Sequence, residues 1–344
     1  MNLQQARARF IPQINAEMRH VMAPPGDSPD PFFGMMHYHL GWVDPDLRPV
    51  TTNPGKQLRP LFTLLCCRAA GGNPEQALPA AAAVELVHNF SLIHDDIEDN
   101  SLTRRGRPTV WAIWGNAQAI NAGDALFTLA RNALLNLQSR GVSLPTIFTA
   151  LNRLDQTCLT LCRGQYLDMS FEQTPVVGLE AYLDMIDAKT AALLACAGFL
   201  GGLVATADAA RAEIFGELGR ALGLAFQIHD DLLGIWGDES VTGKPAADDL
   251  RRRKKSLPVV FALNQPDSRR AARFKEIYRS DTLREADITE AVALLEAAGA
   301  KTYTEQQAQE YVERAQTALN AINTPAANKQ ALEELARFLI ERAH

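Results

Sequence analysis

Apolar residues recur every three or four positions through most of the chain. This spacing places them on one face of an α-helix, whereas the strict alternation typical of β-strands is nearly absent. The pattern and its breaks predict long helices over about 75–99, 111–139, 144–172, 177–204 and 208–236. The chain is therefore predicted to be all-α, with few strands or none, and to form a bundle with long central helices.

Loops rich in Pro and Gly interrupt this pattern near the N-terminus, at 23–34 (APPGDSPDPFFG) and 43–60 (VDPDLRPVTTNPGKQLRP). A charged segment at 237–256 precedes a final third of the chain that again has a helical pattern. We find no repeat of fixed length. We expect a single domain over residues 1–344, of which 1–50 is the less well defined N-terminal segment.

Composition narrows the class of protein. Of 344 residues, 47% are hydrophobic and 22% are charged, which is enough to bury a large core. The formal net charge of −6 argues against a nucleic-acid-binding protein. We see no secretory signal and no run of about 18 apolar residues, so we expect no membrane-spanning segment and a cytoplasmic location. The five cysteines lie in apolar helical segments and are expected to be reduced.

Two of the predicted helices end in clustered acids, because residues 92–99 read LIHDDIED and residues 226–233 read FQIHDDLL. A helix C-terminus already carries partial negative charge, so carboxylates there are destabilising unless a cation binds. Asp95 and Asp99 differ by about 40° in direction on a helix and so face the same side. One such end alone is usually a solvated surface. Two of them favour a pair of Mg²⁺ sites that face one cavity.

Basic residues suited to binding phosphate accompany the acids. They are Lys56, Arg59, Arg104, Arg105, Lys189 and Lys244. Arginine contacts phosphate through two parallel hydrogen bonds, and lysine acts as a point charge. Each residue alone would usually be a surface residue. Together with two metal sites, they favour a diphosphate as the ligand.

These residues occur in motifs that resemble those of the trans-isoprenyl diphosphate synthases, the head-to-tail prenyltransferases. In chain order the matching segments are GKQLRP, ELVHNFSLIHDDIED followed by RRGRPT, GQYLDM, AKT at 188–190, FQIHDDLL, and TGK with the later RKKS. The resemblance extends over about residues 50–260. It implies an isoprenoid synthase-type helix bundle with a central cavity. It also implies an enzyme that condenses isopentenyl diphosphate with an allylic diphosphate (dimethylallyl, geranyl or farnesyl).

The resemblance further implies roles for single residues. The metal ligands, for three Mg²⁺ ions that Mn²⁺ can replace, are Asp95, Asp99 and Asp230. The catalytic residues are Asp95, Asp96, Asp99, Lys189, Thr190, Gln227, Asp230 and Asp231. The substrate-binding residues are Lys56, Arg59, His88, Arg104, Arg105, Lys189, Lys244 and Lys254.

Within that set, the resemblance separates two substrate sites. The cations expected at the allylic diphosphate are Arg104, Lys189 and Lys244, and those expected at isopentenyl diphosphate are Lys56, Arg59, His88 and Arg105. Thr190 and Gln227 are expected to present oxygens to the developing carbocation. The released diphosphate is expected to take the proton, so no side-chain base is required.

The sequence departs from the family pattern in two places. Pro54 and Gln57 stand where relatives often carry Gly and Arg. The second acidic motif reads DDLLG, so Gly234 stands where many relatives have a third aspartate, and Asp238 is a weak substitute. The segment GIWGD resembles a variant of active family members, so we expect activity.

Product length is expected to depend on residues about one turn before Asp95. Ser91 and Phe90 lie four and five residues before it, about 6 to 7.5 Å along the helix axis. In the family, a large side chain here is typical of short-chain enzymes. The first motif lacks the two-residue insertion of many farnesyl-forming relatives. Geranylgeranyl diphosphate (C20) is therefore the expected product, and farnesyl diphosphate (C15) is the alternative.

Other functions share parts of this pattern. A class I terpene cyclase or a head-to-head condensing enzyme needs no isopentenyl site, so Lys56, Arg59 and Arg105 argue against both. An inactive regulatory subunit usually lacks an acidic motif, whereas only one aspartate is missing here. Because the family is usually dimeric, we expect a homodimer.

Overall fold

The computed structural model describes residues 1–24, 26, 30–50, 52, 55–238, 245–266, 268–280 and 282–341. Nearly all regular structure among these residues is helical, which confirms the all-α prediction. The α-helices are α1 (Leu3–Val21), α2 (Pro31–His39), α3 (Leu58–Ala69), α4 (Leu78–Glu98), α5 (Val110–Trp114), α6 (Asn116–Leu135), α7 (Leu144–Gln173), α8 (Leu179–Ile186), α9 (Ala192–Thr206), α10 (Ala209–Trp236), α11 (Asp248–Arg251), α12 (Leu257–Leu263), α13 (Arg269–Arg279), α14 (Glu285–Ala297), α15 (Ala300–Ala321) and α16 (Ala326–Glu341). Shorter elements are two 3₁₀ turns at Pro74–Ala77 and Asn136–Arg140, and a π-helical turn at Asp187–Ala191.

The chain divides into two compact units. The first comprises Met1–Cys158, Cys196–Gly216 and Ile322–Glu334. The second comprises Leu159–Ala195, Glu217–Ala321 and the described residues from Leu335 onward. The first acidic motif (Asp95–Asp99) belongs to the first unit, and the second acidic motif (Asp230–Gly234) belongs to the second.

Helix α4 lies in the core of the first unit and ends in the first acidic motif. It packs against α1, α3 and α6. Pro79 lies in its first turn, where a missing backbone N–H costs little, and the alanines that follow are fully buried. Gly123 of α6 makes room for His94, since a Cβ at residue 123 would lie 2.2 Å from the imidazole. The last turn of α4 is therefore held by close packing on α6.

A two-stranded hairpin follows α4. Its strands β1 (Thr103–Arg104) and β2 (Arg107–Pro108) are antiparallel, with Arg104 opposite Arg107. The two residues between the strands, Arg105 and Gly106, have φ angles of 53° and 74°. Two consecutive positive φ values are typical of the tight turns that match the twist of a hairpin. The hairpin thus fixes the backbone of both arginines that follow the first acidic motif.

The apolar segment predicted as one helix over 177–204 is interrupted. α8 ends at Ile186, the π turn follows, and α9 begins at Ala192. The backbone of Lys189 in this turn approaches α7 so closely that a Cβ at Gly164 would lie 2.4 Å from the Lys189 nitrogen. The prediction of a helical segment over 177–204 is therefore confirmed, and the widened turn within it is a detail that apolar spacing does not reveal.

One segment among the described residues, Leu179–Thr206, is long and apolar enough to cross a membrane. The most apolar stretch of 18 residues within it has a mean hydropathy of 1.6. Of this stretch, 72% is buried within the protein, as in the core helix of a globular protein. Charged residues interrupt the segment, so a search for uninterrupted apolar runs misses it. Length and hydropathy alone do not make it a membrane span.

Candidate active site

The last turn of α4 carries Asp95 and Asp96 of the first acidic motif, and Asp99 caps the end of the helix. The backbone N–H of Asp99 donates a hydrogen bond to the carbonyl of Asp95 (2.8 Å), so these two residues lie one helical turn apart. Asp95 is partly buried and Asp99 is exposed. This turn therefore offers two carboxylates at the spacing that suits shared cations.

Asp96 has a different environment, because only 2% of it is exposed. Its two carboxylate oxygens accept hydrogen bonds from Nε of Arg104, at 2.8 and 2.9 Å. Burial raises the pKa of Asp96, and the Arg104 guanidinium opposes that shift. Asp96 therefore orients Arg104 and ties the hairpin to α4.

Three of the basic residues predicted for the isopentenyl site are neighbours in the first unit. Nη1 of Arg59 lies 3.4 Å from Nε2 of His88. Burial lowers the pKa of His88 well below its ordinary value, and Arg59 and Arg105 lower it further, so this imidazole is neutral near pH 7. Arg105 lies against Gly55, where a Cβ would be 3.0 Å from the guanidinium. Lys56 follows Gly55 in the same loop and is exposed.

Glu85, which the sequence analysis missed, lies among these cations. It is 2% exposed, and Nδ2 of Asn89 donates a hydrogen bond to its Oε1 (3.2 Å). Burial raises the pKa of Glu85 to about 7, and Arg59, the Asn89 hydrogen bond and Arg105 oppose that shift. The available signal was its position, since Glu85 interrupts the apolar run before His88 and lies three residues from it on one helix face.

Gln57, one of the two departures from the family pattern, has a structural partner. Its side-chain amide exchanges two hydrogen bonds with Asn15 of α1, at 3.0 and 3.2 Å. Gln57 also has a φ of 46°, in the left-handed region. It therefore fixes the loop that carries Lys56 against α1. Pro54, the other departure, lies outside the described residues.

In the second acidic motif, Asp231 is fully buried. It accepts hydrogen bonds from the hydroxyl of Tyr182, from the backbone N–H of Leu257 (2.9 Å) and from Nε2 of Gln227 (3.2 Å). Burial raises its pKa to about 6, and Lys254 and the hydrogen bonds oppose the shift. Asp231 therefore joins α8, α10 and the start of α12.

The two acidic motifs share one arrangement. Asp230 is exposed and Asp231 is buried, just as Asp95 is accessible and Asp96 is buried. In each pair the first carboxylate can contact a ligand, whereas the second holds neighbouring elements of the protein.

Two other predicted residues, Thr190 and Gln227, lie together in the second unit. The Thr190 hydroxyl donates to Oε1 of Gln227 (2.9 Å), and Gln227 in turn donates to Asp231. Lys189 forms an ion pair with Asp168 of the GQYLDM segment. Asp168 was not predicted as a site residue, although the segment that contains it was part of the resemblance.

Lys254 also belongs to this region. Desolvation lowers its pKa, but nearby carboxylates raise it more, so the pKa lies above its ordinary value. Those carboxylates are Asp231, Asp249, Asp230 and Asp168. Asp238 lies beyond the end of α10 and is exposed. Lys244, which was predicted to contact the allylic diphosphate, lies outside the described residues.

Phe90 and Ser91, the residues predicted to limit product length, lie on α4. Phe90 is buried, and its ring packs edge-on against Phe127 of α6, with ring centroids 5.0 Å apart. Ser91 Oγ donates to the carbonyl of His88 (2.9 Å). The two phenylalanines form an aromatic contact between α4 and α6, of which the sequence analysis identified only one member.

Three comparisons place the chain among known proteins. It matches the polyprenyl synthetase family over residues 42–295. It is 44% identical over 298 residues to geranylgeranyl diphosphate synthase from Mycobacterium tuberculosis, covering 86% of this chain and 84% of that protein. It is 40% identical over 311 residues to (2E,6E)-farnesyl diphosphate synthase from Mycobacterium bovis, covering 90% and 85%.

A solved structure agrees with these matches. The polyprenyl synthase from Caulobacter crescentus CB15, complexed with calcium and isoprenyl diphosphate, has a TM-score of 0.81 at 31% identity. The alignment covers 99% of this chain and 97% of that one. With the family match and the two relatives, it establishes that the protein belongs to the polyprenyl synthetase family of trans-prenyltransferases.

Proposed function

We propose that the protein joins isopentenyl diphosphate head-to-tail to dimethylallyl, geranyl or farnesyl diphosphate, with geranylgeranyl diphosphate (C20) as the end product. Farnesyl diphosphate (C15) is the alternative product. The observation that carries this proposal is the pair of Asp-Asp motifs, each with one accessible carboxylate and one buried carboxylate that orders the surrounding residues. The two relatives described above are named for one of these products each, which supports the reaction and leaves both lengths open.

Asp95, Asp99 and Asp230 are the proposed ligands of Mg²⁺, with three ions bound and Mn²⁺ able to replace them. Mg²⁺ prefers oxygen ligands and is commonly held by one or two carboxylates together with substrate phosphates. Among the described residues, no three His, Cys, Asp or Glu side chains are arranged to hold a metal by themselves. The donor set therefore fits an ion whose remaining ligands are diphosphate oxygens and water.

Bound Mg²⁺ supplies positive charge that favours departure of the allylic diphosphate. Arg104 and Lys189 are the proposed protein cations for this diphosphate, together with Lys244 and Lys254. Each of the first two is already oriented by a carboxylate, Arg104 by Asp96 and Lys189 by Asp168. Preorganised charges of this kind need little rearrangement when the substrate reacts.

Thr190 and Gln227 are proposed to face the developing allylic cation. The Thr190 hydroxyl donates a hydrogen bond to Gln227, so the lone pairs of the hydroxyl oxygen remain available to face positive charge. The isopentenyl double bond then attacks the allylic carbon, and the released diphosphate takes the proton. No side chain is proposed as the base.

The cations of the first unit are proposed to bind isopentenyl diphosphate. Arg59, His88 and Arg105 lie within one group, and Lys56 is exposed on the adjoining loop. Neutral His88 can accept from Arg59 through one ring nitrogen and donate to phosphate through the other. A terpene cyclase binds a single diphosphate substrate, and a head-to-head enzyme takes no isopentenyl diphosphate, so a group of cations suited to isopentenyl diphosphate favours the head-to-tail reaction.

A single incubation tests the proposal. Purified protein is mixed with Mg²⁺, isopentenyl diphosphate and one of the three allylic diphosphates, and products are identified by mass. A series ending at C20 is expected, whereas a stop at C15 would select the alternative product. Cyclic hydrocarbon, or no consumption of isopentenyl diphosphate, would contradict the proposed reaction. Turnover by this chain alone would also exclude an inactive regulatory subunit.

A homodimer is also proposed. Several apolar side chains of α6 and the start of α7 are exposed, namely Ile120, Leu135, Leu144 and Phe148. Apolar surface of this kind commonly packs against a second copy. Light scattering should give twice the 37.7 kDa of one chain.

A cytoplasmic location is proposed on composition alone, and cell fractionation tests it.

A further inference from the structure

The second acidic motif ends in Gly234, four residues after Asp230 on α10. A side chain at this position would project from nearly the same helix face as Asp230, about 40° away. A glycine in the interior of a helix costs about 1 kcal/mol relative to alanine, so its presence calls for a local reason. The backbone of Gly234 is helical, so an unusual φ angle is not that reason.

The reason is the carboxylate of Asp249. A Cβ at residue 234 would lie 2.2 Å from Oδ2, 2.5 Å from Cγ and 3.0 Å from Oδ1 of Asp249. The three atoms nearest to this position thus all belong to one carboxylate group. Asp249 occupies the space into which a side chain at 234 would extend.

The backbone around Asp249 fixes this position. Ala247 has left-handed backbone angles (φ 58°, ψ 32°) and starts the short helix α11. The backbone N–H of Lys254 donates to the carbonyl of Asp249 (2.8 Å). Leu250 is 1% exposed and packs in the same hydrophobic cluster as Ile235 of α10. Asp249, itself only 7% exposed, is therefore held between these anchors.

Asp249 also belongs electrostatically to the second acidic motif. Its charge helps to raise the pKa of Lys254 together with Asp230 and Asp231. It also contributes to the pKa shift of Asp231 itself. By contrast, Asp248, the preceding residue, pairs with Arg252 (3.2 Å).

We infer that Asp249 supplies the third carboxylate of the second acidic motif from a different segment of the chain, and that Gly234 is the residue that admits it. This inference rests on the proposed function. It assigns Asp249 to the divalent cation and diphosphate bound at Asp230, and it explains how a motif reading DDLLG keeps a full set of acids.

The first test removes the charge without changing the shape. Asp249→Asn should weaken binding of Mg²⁺ with inorganic diphosphate by about tenfold or more, the usual size for a carboxylate that supports a metal ligand. Calorimetric titration measures this without turnover. Asp248→Asn is the matched control, and it should bind like the wild type. Equal binding by all three proteins would overturn the inference.

The second test moves the carboxylate back onto α10. Gly234→Asp alone should bind Mg²⁺ and diphosphate poorly, because its new side chain meets Asp249. Asp249→Ala alone should also bind them poorly, because it lacks the carboxylate. The double variant Gly234→Asp/Asp249→Ala should bind more tightly than either single variant, because one carboxylate is restored without a clash. A double variant no better than the worse single one would also count against the inference, and circular dichroism checks that each protein is folded.

The two proposals fail separately. If the wild type consumes isopentenyl diphosphate and Asp249→Asn binds Mg²⁺ and diphosphate normally, only the inference about Asp249 is wrong. If the wild type binds both ligands in a manner that depends on Asp249 but consumes no isopentenyl diphosphate, only the proposed reaction is wrong.

Discussion

At the scale of single residues, adjacent aspartates have different environments because one side of each helix end is packed and the other is open. Asp231 accepts three hydrogen bonds in the interior, and Asp96 accepts two from one guanidinium. Removing such an acceptor leaves buried donors without partners, which costs about 1–3 kcal/mol each. An accessible acid such as Asp230 carries no such penalty.

Substitution of the second pair should therefore separate activity from stability. Asp230→Ala should lower kcat by about 100-fold or more, since several kcal/mol of charge stabilisation are lost, with little change in Tm. Asp231→Ala should lower kcat and should also lower the free energy of unfolding by about 3 kcal/mol, because its buried hydrogen-bond donors lose their acceptor. Steady-state kinetics and urea unfolding measure the two effects. A stable Asp231→Ala, or an active Asp230→Ala, would contradict the assignment.

Glu85 should make stability depend on pH. Its pKa is raised from 4.5 to about 7 by burial, so the folded protein keeps a proton that the unfolded chain releases. The stabilisation from neutral Glu85 is complete below about pH 4.5 and is lost as the pH rises through 7, by on the order of 3 kcal/mol. Glu85→Gln stays neutral and should lack this loss.

The measurement is the unfolding free energy of both proteins from pH 5 to pH 8. The wild type should become less stable relative to Glu85→Gln across this window. Two curves that stay parallel would show that Arg59 and Arg105 stabilise the ionised carboxylate more than burial disfavours it.

At the scale of helices, α4 and α6 form the aromatic contact proposed to limit product length. Phe90→Ala should extend the product beyond C20, because removing the ring opens space about 7.5 Å from Asp95 along α4. Phe127→Ala should act in the same direction, since it removes the other ring of the contact. Leu159→Ala, which changes a residue that is 67% exposed and lies outside the proposed dimer surface, should leave the product unchanged.

Product masses from the three variants decide this. Since a buried Phe→Ala change can cost 3–5 kcal/mol, Phe90→Leu provides a milder version with the same expected direction. Unchanged product lengths in Phe90→Ala, Phe90→Leu and Phe127→Ala would place the limit elsewhere.

The sequence predicted the helices in which apolar residues recur at regular three- and four-residue spacing. Clustered charges indicated the two acidic helix ends, and the family resemblance selected Asp230 within the second of them. The π turn around Lys189 was not predictable, because one widened turn leaves the apolar pattern unchanged. The contact between Gly234 and Asp249 was also not predictable, since it depends on how a later segment folds back onto α10.

At the scale of the whole molecule, metal binding should be linked to substrate binding. Asp95, Asp99 and Asp230 are the proposed ligands of Mg²⁺, an ion that is commonly held by one or two carboxylates together with substrate phosphates and water, so we expect the protein to supply only part of each ion's ligands. A diphosphate supplies the missing oxygens and brings negative charge. A ligand that binds only the folded state raises stability by RT ln(1 + [L]/Kd). Mg²⁺ and diphosphate together should therefore stabilise the fold more than the sum of their separate effects.

Thermal unfolding tests this linkage directly. With EDTA and no substrate, we expect Tm to be unchanged, because no metal is needed for the fold. With EDTA and both substrates, we expect turnover to be abolished, because the charge of bound Mg²⁺ is lost. Mg²⁺ alone should shift Tm only slightly, whereas Mg²⁺ with inorganic diphosphate should raise it by several degrees. The Asp95→Ala variant should lose most of this joint effect, because one proposed ligand is gone. If Mg²⁺ alone gave the full shift, the ion would have a complete protein site, and the proposed role of the diphosphate oxygens would be wrong.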